Sequence, residues 1–231
     1  MILVDTADLE ALGQCLAYPS IRGFTTNPTL VTRSAGVEQL SLPQYHECIL
    51  RLIRALPHVA PQDDRCREIF LQGVGSAEQI VSMAREWREQ LDPARWRLWI
   101  KLLPDRPSIN AIPTLTGAGV RTLVTAVNTL AQARVSLDAG ADGVAVYVGR
   151  LQRIDPEWSL KIARIAALSQ RAHRTLLLAS FKDLPLIESA LELSDDITIP
   201  ASLVPRLLDS PLSAAAIEEF GKTVAPSIGT I

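Results

Sequence analysis

Along this chain, short apolar runs alternate with stretches of helical period. Ile2 to Val4 read as a brief strand ending at Asp5 and Thr6; Leu9, Leu12 and Leu16 then recur at the spacing of one helical face, with Thr6 placed to cap it. Ile21 to Phe24 make a second strand, followed by the polar cluster Thr25, Thr26, Asn27 and Pro28, where the proline holds the asparagine backbone extended. A helix is predicted from Leu42 through Leu56, and Pro57 to Arg65, with two prolines and two aspartates, reads as an exposed loop. Glu68 to Leu71 lead to Gln72, and Ser76 with Gln79 forms a capping-box pattern ahead of Ile80, Ala84, Trp87 and Leu91. Next comes ARWRLWIK, a run of large apolar side chains that ends at Lys101.

The alternation continues to the C-terminus. Ser108 to Leu115 read as a short helix closed by Gly117 and Gly119, Thr122 to Val124 reach Thr125, and Asn128 to Asp138 are helical up to Gly140. Gly143 to Val146 lead to Tyr147 and Arg150, and Asp155 with Pro156 has N-cap and N1 chemistry for a helix burying Trp158, Ile162 and Ile165. Thr175 to Leu178 approach Ser180 and Lys182, Ile197 to Ile199 precede Pro200, and Ala214 to Phe220 make a closing helix. Strands are thus predicted to start near residues 2, 21, 68, 96, 122, 143, 175 and 197. Eight β/α units in this length fit an α/β fold, a single (β/α)8 TIM barrel over residues 1–231 with a C-terminal helical segment.

Composition narrows the function. The 231 residues are 48% hydrophobic and 21% charged, enough for one large domain or two small ones. A net charge of -2 and a pI near 6.0 give no electrostatic reason to expect nucleic acid or an anionic membrane, which leaves small molecules. Cys15, Cys48 and Cys66 are odd in number and widely spaced, the pattern of reduced thiols in a cytoplasmic protein. A carboxylate at Asp5 comes too early for a signal peptide, and no apolar run approaches the roughly 18 residues of a membrane span. Gly73 and Gly75 are not part of a GxGxxG fingerprint, there is no P-loop, and His46, His58 and His173 lack metal-ligand spacing, so neither a cofactor nor a metal is expected.

Lys101 is the candidate that stands out. A lysine at the mouth of a buried strand becomes nucleophilic if desolvation keeps its amine neutral. That requires a fall of roughly 3 units from about 10.4, or roughly 4 to 5 kcal/mol. Taken alone, it reads more readily as a strand end reaching solvent. But Asp5, Asn27, Gln72, Thr125, Tyr147 and Ser180 each fall at the C-terminal end of another predicted strand, and a barrel brings such positions to one mouth.

These residues also carry a family likeness. Val4-Asp5-Thr6, GFTTNP from Gly23, Ile100-Lys101, TAVNTLAQA from Thr125, YVGR from Tyr147 and LASFK from Leu178 resemble the transaldolase superfamily, most closely its fructose-6-phosphate aldolase and small transaldolase branch. The likeness runs in order along nearly the whole chain. It implies a barrel performing class I, metal-free aldol chemistry through a lysine Schiff base, in a homo-oligomer of five or ten subunits. By that likeness Lys101 matches the imine former, Asp5 the proton-transferring carboxylate, and Thr26 and Asn27 the donor-hydroxyl contacts. Gln72, where transaldolases proper carry glutamate, and Thr125 match the residues that hold the reaction water. Tyr147 matches the acid/base of the aldolases, and Arg150, Ser180 and Lys182 match a phosphate-binding set. Gln72, Tyr147 and Ala145 tilt the reading toward free aldol cleavage of a sugar phosphate such as fructose 6-phosphate, with a dihydroxyacetone-type hydroxyketone as donor.

Three departures stand against that pattern. Leu102 and Leu103 separate the lysine from Pro104 with no threonine close behind, Val146 replaces a common proline, and residues 61–65 look inserted. The alternatives are a transaldolase moving the same three-carbon unit between sugar phosphates and a non-catalytic sugar-phosphate binding protein on the same barrel. The segment Gly221 to Ile231 is suited to an arm or a lid.

Overall fold

The computed structural model describes residues 1–224; the C-terminal part of the expected arm or lid, residues 225–231, lies outside the described residues. Eight parallel strands, β1 (Ile2–Asp5), β2 (Ile21–Thr25), β3 (Arg67–Gln72), β4 (Trp96–Leu102), β5 (Arg121–Val124), β6 (Gly143–Tyr147), β7 (Thr175–Ala179) and β8 (Asp196–Pro200), form a closed barrel in chain order. Pairing of Ile2 with Ile197 closes it. Every strand begins within one residue of its predicted start. Around it lie α1 (Leu9–Leu16), α2 (Pro28–Ser34), α3 (Leu42–Val59), α4 (Ala77–Gln90), α5 (Arg106–Gly117), α6 (Leu130–Asp138), α7 (Val148–Ile154), α8 (Trp158–Arg171), α9 (Leu184–Leu191) and α10 (Pro211–Thr223).

Two periodicities build the layers. On β4, Trp96, Leu98, Ile100 and Leu102 belong to the core between sheet and helices, whereas Trp99 belongs to a separate cluster with Leu3, Phe70, Leu123, Ala145 and Leu177. That second cluster takes one side chain from each of six strands and is the filled lumen of the barrel. Trp99 stacks on Phe70 with ring centroids 4.9 Å apart, and its indole N–H donates to Glu68 Oε2 at 2.6 Å. Two residues further along the same strand faces come Asp5, Gln72, Lys101, Thr125, Tyr147 and Ala179. The apolar layer is therefore the floor beneath the mouth.

Local chemistry moved several expected boundaries. Asp8, not Thr6, caps α1 by accepting from Ala11 N at 2.8 Å, while Thr6 Oγ1 accepts from Asp8 N. Helix α3 runs through Pro57 to Val59, because a proline in the last turn sacrifices one hydrogen bond and Ala60 N still closes on Leu56 O. The 61–65 loop is anchored: Asp63 pairs with Arg65 and with the buried Arg67. Helix α5 starts at Arg106 on an Asp105 cap, α6 at Leu130 on a Thr129 capping box, and α8 at Trp158, since Asp155 spends its side chain on Glu157 N and leaves Trp158 half-buried. The short helices α2, α7 and α9 were not anticipated. Two of them start immediately after strand-end polar residues, where Asn27 and Asp183 act as caps.

Replacing the lumen side chain by Trp99→Ala is expected to cost about 3–5 kcal/mol, read as a shift in urea midpoint. A loss below about 1 kcal/mol would show that the floor is not a packed layer.

Candidate active site

The C-terminal ends of the strands enclose a cavity of about 640 Å³. Asp5, Asn27, Gln72, Lys101, Thr125, Tyr147, Arg150 and Ser180 all line it. Lys101 is 5% exposed, and its ammonium donates to the backbone carbonyl of Thr26 at 2.9 Å. Burial holds that amine below its ordinary value of 10.5, opposed by the nearby Asp5 carboxylate, which favours the charged form. Desolvation is the larger effect because β4 places the amine directly above the Trp99 layer, away from bulk water.

Asp5 is fixed from below the rim. Thr25 Oγ1 donates to Asp5 Oδ1 at 2.7 Å and lies 2.8 Å from Thr198 Oγ1, so three neighbouring strands share one buried polar chain. Gln72 directs its amide N–H groups to the carbonyls of Lys101 at 3.0 Å and Gly73 at 3.4 Å, and Tyr45 donates its hydroxyl to the Gln72 carbonyl at 2.9 Å. Burial pushes the Tyr45 phenol well up, keeping it a neutral donor. Across the mouth, Thr125 Oγ1 donates to the Tyr147 hydroxyl at 3.1 Å, and the Arg150 guanidinium sits over the Tyr147 ring, 4.7 Å from its centroid.

The side of the cavity that carries Arg150 and Ser180 depends on a close approach of α7 to the end of β7. Gly149 N donates to Ser180 O at 3.2 Å, and a Cβ at Gly149 would lie 2.3 Å from that oxygen. Ser180 itself has φ +70°, an uncommon conformation for a non-glycine residue, at the edge of the cavity. Asn27 caps α2 by accepting from Leu30 N at 3.1 Å, so the side chain expected to hold a donor hydroxyl is also structural.

Two of the expected residues stand apart. Thr26 is fully buried and does not line the cavity; it offers its carbonyl to Lys101, and its hydroxyl has no hydrogen-bond partner among the described residues. Lys182 is exposed and outside the cavity lining. Conversely, Thr198 and Asp105 line the cavity although neither belongs to a motif named above. Thr198 had a signal, an isolated polar residue at the inward parity of Ile197-Thr198-Ile199, and Asp105 had one in its cap position before Pro107. Among the described residues, no three His, Cys, Asp or Glu side chains gather as a metal-ligand cluster, and no helix is long and apolar enough to cross a membrane.

Comparison with known proteins identifies the family. The family model described as Transaldolase/Fructose-6-phosphate aldolase matches residues 2–227. A protein named probable transaldolase from Kosmotoga olearia is 29% identical over 230 residues, covering 95% of this chain and 93% of its own. A Bacillus anthracis protein named probable transaldolase 2 is 29% identical over 221 residues, covering 94% of each. Among solved structures, a 2,3-dimethylmalate lyase of the PEP mutase/isocitrate lyase superfamily superposes with a TM-score of 0.60 at 13% identity, over 100% of this chain and 85% of its own, a likeness of fold alone. The chain belongs to the transaldolase and fructose-6-phosphate aldolase family, and it is an enzyme of aldolase or transaldolase type.

The buried amine has a thermodynamic signature. With the folded pKa below 10.5, the unfolded chain binds the Lys101 proton first as pH falls. The penalty on the folded state therefore develops from 10.5 down to the folded pKa and is complete below it. The stability of Lys101→Met relative to the parent should accordingly be most favourable at neutral pH and decline as pH rises toward 10.5. Urea midpoints across that range check it; a difference independent of pH would contradict a desolvated amine.

Proposed function

We propose that this family member is a class I aldolase that cleaves and forms the C3–C4 bond of a sugar phosphate such as fructose 6-phosphate through a Schiff base on Lys101. The observation that carries this reading is the desolvated Lys101 amine opening into the polar cavity with Asp5 beside it. The neutral amine attacks the ketone carbon, and loss of water gives an iminium on Nζ. As the C3–C4 bond breaks, its electron pair flows to the iminium and leaves an enamine. Tyr147 takes the C4 hydroxyl proton, and the aldehyde departs. Reprotonation of the enamine and hydrolysis then free the hydroxyketone and the lysine, with Gln72 and Thr125 holding the water and Asp5 moving protons. Asn27 holds donor hydroxyls beside the Thr26 carbonyl that accepts from Lys101, and Arg150 with Ser180 takes the phosphate. Lys182, exposed beyond the lining, contributes long-range attraction rather than direct contact.

Transaldolase activity is the second reading, favoured by the names of the relatives. Tyr147 and Gln72 support the aldolase. Fructose 6-phosphate is expected to release free dihydroxyacetone and glyceraldehyde 3-phosphate without any acceptor; an absolute requirement for erythrose 4-phosphate would instead establish the transferase. Borohydride reduction in the presence of fructose 6-phosphate should leave its adduct on the peptide containing Lys101, and Lys101→Met should lose the adduct and at least about a thousandfold in rate. A protein that binds the sugar phosphate without ever forming that adduct would be the non-catalytic barrel.

We also place the enzyme in the cytoplasm as a homo-oligomer of five or ten subunits. Helix α10 supports the assembly: none of its residues is buried, and Leu212, Ile217 and Phe220 are all more than 60% exposed. A 13-residue helix without packing is marginal in water, and a second copy is the occupant the reading supplies. Light scattering should report a multiple of 25.2 kDa that dissociates in Ile217→Asp/Phe220→Asp; a monomeric parent would refute the assembly.

A further inference from the structure

We propose that Thr198 is a positioning residue for the Lys101 site: its hydroxyl donates to Thr25, Thr25 donates to Asp5, and this relay from β8 through β2 to β1 holds the Asp5 carboxylate off the lysine amine. The apolar layer beneath the mouth takes its side chains from β1 and from β3 to β7. The two strands that contribute none are β2 and β8, and both pair with β1. They supply Thr25 and Thr198 instead, 0% and 3% exposed, while Phe24, Ile197 and Ile199 on the same strands belong to the core between sheet and helices. Two hydroxyls thus flank the strand that carries Asp5, in a lumen that the other six strands fill with apolar groups.

The direction of the relay follows from its protons. A carboxylate only accepts, so the single Thr25 hydroxyl proton is spent on Asp5 Oδ1 at 2.7 Å. The Thr25 oxygen is then the acceptor in its 2.8 Å contact with Thr198 Oγ1, and Thr198 is the donor. A hydroxyl that receives a hydrogen bond gives a stronger one, and the negative charge at the end of the chain reinforces both links. Valines would fill the same space without it.

Where Asp5 is held matters to the amine. No ion pair among the described residues joins Asp5 to Lys101. The lysine donates to the Thr26 carbonyl instead, and Asp5 favours its charged form only against the larger effect of burial. The other charged or titratable groups lining the cavity are Asp105 after β4, Tyr147 at the end of β6 and Arg150 on α7; the charge that acts on the amine is that of Asp5. Without Thr198 the bond from Thr25 loses its polarising donor, and Asp5 is free to turn toward the ammonium and stabilise it. This role deepens the aldolase reading, on which it rests for its effect on rate, while the hydrogen-bond geometry stands without it.

Acetylation of the full chain with acetic anhydride across pH, followed by mass spectrometry of the Lys101 peptide against that of the exposed Lys222, reads the amine directly. Thr198→Val should move the Lys101 midpoint upward by about one pH unit, leaving about tenfold less labelling on the low-pH side. The pH dependence of fructose 6-phosphate cleavage should move the same way, with kcat lowered more than KM is raised. Thr198→Ser keeps the hydroxyl but loses a methyl, and should restore the parent midpoint, an outcome that a packing role would not give. In a Thr25→Val background, Thr198→Val should add no further shift. An unchanged midpoint in Thr198→Val, an equal shift in Thr198→Ser, or additive shifts in the pair would each overturn the relay. So would a rise in KM alone, which would make Thr198 a direct substrate contact. If fructose 6-phosphate left no borohydride adduct on Lys101, the aldolase reading would fall while the labelling midpoints still decided the relay.

Discussion

Everything at the mouth depends on one unfavourable placement, a lysine amine held out of water at the top of a packed lumen. Trp99 and Phe70 fill the space beneath it, and the carbonyl of Thr26 gives it a single neutral acceptor at 2.9 Å. A carboxylate in direct contact would stabilise the ammonium and cancel the effect of burial. Asp5 instead acts at longer range, opposing the shift without reversing it, while its own oxygen is occupied by Thr25. The amine is thus held below its ordinary pKa with a carboxylate nearby.

The barrel makes this arrangement inexpensive in sequence terms. Alternation along a strand means that fixing Trp99 in the lumen also fixes Lys101 in the layer above, and the same parity sets Gln72 above Phe70, Thr125 above Leu123 and Tyr147 above Ala145. Strand starts and strand-end polar residues could therefore be read from the chain, because they rest on local periodicity and on closure of eight units. The family motifs added roles that periodicity alone could not supply.

What could not be read was the set of contacts made between strands. The bond from Thr25 to Asp5 and the approach of Thr25 to Thr198 span 20 and 173 residues, so only the closed barrel reveals why a threonine stands between Ile197 and Ile199 on β8. Thr26 looked like a hydroxyl contact, yet backbone direction turns its carbonyl, not its side chain, to the site. Lys182 shares a motif with Ser180 but falls outside the cavity lining. The cap shifts at α1 and α8 have a simpler cause, since Asp8 and Glu157 stand closer to the first helical turn than the residues that resembled caps.

Gln72 shows how a neutral side chain fits this electrostatic balance. Its side-chain N–H groups are taken by the backbone carbonyls of Lys101 and Gly73, while Tyr45 holds the residue's backbone carbonyl. The amide is therefore oriented, and its side-chain oxygen is left for water or substrate. A glutamate at this position would place a second carboxylate beside the amine and favour its charged form. It would also lose the donated bonds to two backbone carbonyls in a buried setting, where unsatisfied acceptors are costly. The neutral residue keeps Asp5 as the dominant nearby acid, so that desolvation rather than charge pairing decides the state of Lys101.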